Sequence, residues 1–67
     1  MQKYNEKYPC PCCGEYTLDE ERGWDICSNC NWEDDGVQFD KPDYAGGANK
    51  MSLNEARKAY REGNKVI

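Results

Sequence analysis

Five cysteines are the residues in this chain best suited to chemistry: Cys10, Cys12, Cys13, Cys27 and Cys30. Four of them form two pairs, Cys10-x2-Cys13 and Cys27-x2-Cys30, with thirteen residues between the pairs. Paired C-x2-C motifs at such a separation point to a thiolate metal site, above all zinc. The gap is slightly shorter than the usual ~15–20 residues, and a tight hairpin accommodates that. The chain has no His, so the site is expected to be all thiolate and tetrahedral, holding one Zn2+ per chain. Five is an odd number, so intramolecular disulfides cannot use every cysteine. The opening MQKYNEKYPC carries no apolar signal stretch, so a reducing, cytoplasmic setting is expected, where disulfides rarely persist. Two short disulfides, or free thiols, are the competing reading.

A C-x2-C loop folds as a tight knuckle that points both sulfurs at one ion. Backbone N–H groups in the turn then spread the thiolate charge. Pro11 stiffens the entry to the first knuckle, because its φ is fixed. Gly14 and Asn31 each follow a second cysteine, where a left-handed residue lets the chain leave the turn. Cys12 lies inside the first knuckle and cannot readily share an ion with Cys10 and Cys13. It reads as a spare loop thiol. A redox or metal-exchange thiol, or a ligand swapped with a neighbour, are the sharper alternatives.

Something must hold these loops together, and the apolar content is small. Leu, Ile, Val and Phe number only seven of 67 residues, and mean hydropathy is −1.15. Such a composition ordinarily reads as disordered, so a core this thin needs a metal, a disulfide or a partner as a staple. One domain spanning residues 1–67 is expected, with 1–7 a loose leader onto which Tyr4 and Tyr8 can still pack. Glu15-Tyr16-Thr17-Leu18 is predicted to be a short strand with Tyr16 and Leu18 on one face. Residues 19–23 form a turn, and Trp24-Asp25-Ile26 is the predicted partner strand delivering Cys27 to the metal. Trp32 is expected to shield the cluster from water.

An acidic turn, Glu33-Asp34-Asp35-Gly36, leads to Val37-Gln38-Phe39, predicted as a third short strand. The Asp spacing in this region fits no EF-hand loop, so it reads as a solvated acidic face. Gly46-Gly47-Ala48-Asn49 reads as a flexible loop without the ending of a P-loop. The C-terminal helix, 52–62, is the best-signalled element. Ser52 and Glu55 form a capping box, Leu53, Ala56 and Tyr60 an apolar stripe, Met51 a staple and Gly63 the stop. The stripe is too narrow for an independent helix, so it should pack on the ribbon. The expected fold is therefore a small metal-stabilised α+β domain: a zinc-ribbon-like β-hairpin, or short antiparallel sheet, with a C-terminal helix.

Cys10-Pro11-Cys12-Cys13-Gly14, Cys27-x2-Cys30-x-Trp32-Glu33-Asp34-Asp35-Gly36, Gly46-Gly47-Ala48-Asn49 and Ser52-Leu53-x-Glu55-Ala56-Arg57 together resemble the cysteine-rich CPCC domain family. The likeness spans roughly residues 8 to 62. It implies a small bacterial or phage domain with a zinc site, and brings no molecular activity with it.

The leading functional expectation is a non-enzymatic zinc module that acts by binding an unidentified protein. Four thiolates close the metal's shell, and no His is present as a base. The acidic 33–43 segment and the Gly46–Asn49 loop are the expected contact surfaces. A rubredoxin-like or thiol redox protein is one alternative, although rubredoxin spaces its knuckles more widely. A nucleic-acid-binding ribbon using Arg57, Lys58 and Arg61 is another. Charge disfavours it, because four thiolates and one zinc take the formal charge from −4 to −6. No apolar run approaches the ~18 residues of a membrane span.

Overall fold

The two knuckles organise the chain. In the computed structural model, which describes residues 4–67, β1 is Tyr8–Pro9, β2 is Tyr16–Leu18, α1 is Gly36–Asp40 and α2 is Leu53–Arg61. β1 and β2 pair antiparallel, Tyr8 opposite Leu18 and Pro9 opposite Tyr16, with a register shift between Tyr8 and Pro9. The first knuckle is the turn of this hairpin. Cys10 N–H donates to the Glu15 carbonyl and Gly14 N–H to the Cys10 carbonyl, both at 2.8 Å. The second knuckle repeats the pattern: Cys27 N–H donates to the Trp32 carbonyl and Asn31 N–H to the Cys27 carbonyl, again at 2.8 Å. Gly14 (φ 82°) and Asn31 (φ 72°) are both left-handed, as the turn chemistry requires.

The antiparallel hairpin, the C-terminal helix and the cysteine cluster are thus present, and the pairing of the strands differs from expectation. Residues 24–26 do not pair with β2. Ile26 bridges Glu33, Trp24 N–H donates to the Asp34 carbonyl at 3.2 Å, and Asp34 N–H to the Asp25 carbonyl at 2.9 Å. Each knuckle closes its own hairpin, pairing the residues on either side of its own turn. Trp24 and Ile26 consequently face solvent, 56% and 62% exposed. The Asp25 carboxylate instead accepts from the N–H groups of Asp19 (3.0 Å) and Glu20 (3.2 Å), ordering the 19–23 turn. Leu18 is buried, whereas Tyr16 stays exposed with its ring edge-on to Tyr4 at 5.4 Å.

The leader is not uniformly loose. Tyr4 and Lys7 exchange backbone hydrogen bonds of 2.7 and 3.0 Å, and Lys7 pairs with Asp19. Tyr8 packs on the core. Residues 1–3, the rest of that expected leader, lie outside the described residues.

The third strand expected at 37–39 is helical instead. Asp35 caps α1, its Oδ1 accepting from Val37 N–H at 2.8 Å and Gln38 N–H at 3.4 Å. A cap satisfies N–H groups that a helix start leaves unpaired, which outweighs the weak strand preference of Val37 and Phe39. α2 follows expectation more closely. Ser52 Oγ accepts from Glu55 N–H at 3.1 Å, and Glu55 Oε1 accepts from Ser52 N–H at 2.9 Å. The helix proper is one residue shorter at each end than the expected 52–62, with Ser52 and Glu62 as its caps. Its buried stripe is Leu53, Ala56 and Ala59, and Tyr60 points outward. Leu53 and Ala56 meet Trp32, Leu18 and the cysteines in one core that Met51 and Phe39 flank. Among the described residues, no helix is long and apolar enough to cross a membrane.

Candidate metal centre

Two hairpin turns and the mid-strand of β2 converge on one point. The Sγ atoms of Cys10, Cys13, Cys27 and Cys30 all lie within 4.8 Å of one another. Cys10 and Cys30 are 3.6 Å apart, and Cys13 and Cys27 are 3.7 Å apart. A tetrahedral ion with metal–sulfur bonds of ~2.3 Å requires sulfur–sulfur edges of about 3.8 Å. A disulfide requires about 2.05 Å. All five cysteines are free thiols, and the four fit a metal rather than two short bridges. The donor set itself suits zinc or iron.

Burial and hydrogen bonding divide the four sulfurs. Cys10, Cys27 and Cys30 are buried, and Cys13 is half-buried. Desolvation raises the thiols of Cys10 and Cys30, against backbone N–H groups that favour their ionised forms. Burial opposes ionisation of Cys27 as well. There the Thr17 hydroxyl, 3.0 Å from Sγ, and the backbone N–H groups of Cys30 and Asn29 win, lowering the thiol to about 7. Asn29 reaches across with its side chain too, Nδ2 donating to Cys13 Sγ at 3.4 Å and to Tyr60 Oη at 3.1 Å.

Cys12 stands outside the four. It is 8% exposed, and burial pushes its thiol up to about 11, against a hydrogen bond with Cys30. Its neighbour Pro11 is tied to α2, the Arg57 Nε–H donating to the Pro11 carbonyl at 2.8 Å. That bond takes Arg57 from the basic patch expected with Lys58 and Arg61. Trp32 is fully buried in the same cluster as the cysteines, as expected of a shield. Its buried Nε1–H has no hydrogen-bond partner among the described residues.

The expected acidic face is internal at its centre. Asp34 and Asp35 are each 3% exposed. Asp34 Oδ2 accepts from Arg22 N–H at 2.5 Å, and desolvation raises its carboxyl above the ordinary range despite that bond. Asp35 Oδ2 accepts from Ala48 N–H at 3.0 Å. Nor is 46–49 a loose loop. A Cβ on Gly47 would lie 2.7 Å from Asp35 Oδ2, a close approach that only glycine permits. Asn49 is buried, with Oδ1 accepting from Glu33 N–H at 2.9 Å and Nδ2 donating to the Glu33 carbonyl at 2.8 Å. Gln38 completes this polar clamp. Its Nε2 donates to the carbonyls of Tyr44, Asn49 and Met51 at 2.9–3.2 Å, and its Oε1 accepts from both Asn49 N–H and Nδ2.

Thr17, Asn29 and Gln38 are therefore the residues that sequence reasoning passed over. Asn29 carried a signal, since it occupies an inner position of the second knuckle. Thr17 is ten residues from the sulfur it contacts, and no local pattern marks it. The family model described as cysteine-rich CPCC matches residues 8–64. No curated protein matches the chain.

Proposed function

The chain belongs to the cysteine-rich CPCC family, and from that premise we propose that it is a small zinc module whose four-cysteine site is structural and which acts by binding another protein. The observation that carries the metal reading is the set of four sulfurs within 4.8 Å of one another, with the Cys10–Cys30 and Cys13–Cys27 edges close to the tetrahedral value. A zinc there ties β1, β2 and both knuckles together, supplying the stabilisation that so few apolar side chains do not. Its role is structural because four cysteinates leave no position for water or substrate. Native mass spectrometry tests this directly. The expected result is one zinc per folded chain, colourless in solution. A folded chain at the apo mass overturns the metal reading, and a red ferric form replaces zinc with a rubredoxin-like iron centre.

Protein binding rests on a different observation. Although apolar residues are scarce, Trp24, Ile26 and Val37 are each more than half exposed. Trp24 and Ile26 stand two residues apart before the second knuckle, and a partner that covered them would bury apolar area now in water. Nucleic acid remains the poorer reading, given the charge and the internal use of Arg57. Capture of one specific protein from the native host should be lost in a Trp24→Ser, Ile26→Asp variant that keeps its full metal content. Undiminished capture by that variant removes this face from consideration.

A further inference from the structure

Side-chain hydrogen-bond donors converge on one edge of the sulfur tetrahedron. We infer that Thr17 and Asn29 are positioning residues of the metal centre, tuning how tightly and with what electronic character Cys27 and Cys13 hold the ion. The inference rests on the metal reading above.

Four thiolates around a dication leave two net negative charges inside a largely buried cluster. Such charge is tolerated when donors surround it. Backbone N–H groups of a C-x2-C turn can serve its own sulfurs. The 3.7 Å edge between Cys13 and Cys27 receives more. Thr17 Oγ1 is 3.0 Å from Cys27 Sγ, and a hydroxyl beside a metal-bound thiolate can only donate to it. Asn29 contributes its backbone N–H to Cys27 and its amide to Cys13, each at 3.4 Å. The second amide hydrogen goes to Tyr60 Oη on α2 at 3.1 Å. One residue therefore joins both ligand pairs and the C-terminal helix. β2 supplies the other donor from the opposite hairpin, so each knuckle's ligand is supported by a residue outside its own turn.

The test loads the full chain with Co(II) and, separately, Zn(II), in competition with a chromophoric chelator. Thr17→Val keeps the branched shape and removes the hydroxyl, whereas Thr17→Ser keeps the hydroxyl. Asn29→Ala removes the amide at an exposed position. Affinity should fall about tenfold for Thr17→Val and for Asn29→Ala. The thiolate-to-cobalt charge-transfer band should move to longer wavelength in both, because an unsupported thiolate gives up charge more easily. Thr17→Ser should restore both readings. Wild-type affinity and band position in Thr17→Val and Asn29→Ala overturn the inference while leaving the metal site standing. A Thr17→Ser variant as impaired as Thr17→Val makes the role of this residue packing and overturns its part. Failure of the wild-type chain to take up either metal overturns the four-cysteine reading, and this inference with it. If Thr17→Val does not fold, the exposed Asn29→Ala decides.

Discussion

Replacing Gln38 by Leu sets two physical effects against each other with opposite signs. The Gln38 side chain is 0% exposed. Leu is of similar size and wholly apolar, so transfer from water alone favours the variant. The hydrogen bonds say otherwise. Asn49 N–H and the Asn49 carbonyl are both buried against Gln38, at 3.1 and 3.2 Å. Leu leaves both without a partner. At ~1–3 kcal/mol for each buried group left unsatisfied, the loss is about 2–6 kcal/mol. The carbonyls of Tyr44 and Met51 are nearer solvent and add less. A domain of this size has a total stability of roughly 3–10 kcal/mol, so the variant should lose a large fraction of it and its urea midpoint should fall markedly. Urea denaturation of the zinc-saturated protein, followed by tryptophan fluorescence, measures this, with metal content checked by native mass spectrometry. A midpoint equal to or above that of the wild type would refute the reasoning, showing that the clamp is dispensable and that burial alone governs the site.

Strong chelator should abolish the circular-dichroism signal of α2 together with that of the hairpin, because the apolar core cannot offset chain entropy unaided; a helix that persists in the chelated protein refutes this. Cys12→Ser should keep full metal stoichiometry by native mass spectrometry, whereas Cys13→Ser should lose the metal and the fold. Ser52→Ala removes the cap oxygen of α2 and should cost about 1 kcal/mol, lowering Tm by about 4–8 °C; an unchanged thermal midpoint would show that the capping box is idle. Asp35→Lys should yield no folded protein by circular dichroism, since it removes the cap of α1 and the acceptor of Ala48 N–H. A folded variant would restore the acidic segment as a candidate contact surface.

What was legible in the sequence is chemistry completed within a few residues. Two C-x2-C pairs announce four convergent sulfurs, because chelation and turn geometry are properties of the tetrapeptide and its exit residue. Gly14 and Asn31 are left-handed for the same reason, and the capping box at Ser52 and Glu55 closes within one helical turn. The family resemblance followed from these blocks and their order.

Only the tertiary structure decided which side of each segment turns inward. Trp24 and Ile26 alternate as a buried strand does, yet they face solvent because the second knuckle pairs them with residues 32–34. Asp34, Asp35, Gln38 and Asn49 look like a hydrated acidic stretch and loop in sequence. Burial is affordable for them because partners eleven to sixteen residues away satisfy their polar atoms. Such partners are invisible to any local pattern. Thr17 reaches Cys27 by the same kind of long-range meeting, brought there when the two hairpins share one core. Periodicity reports that a face is apolar or polar, and the folded chain alone determines what that face meets.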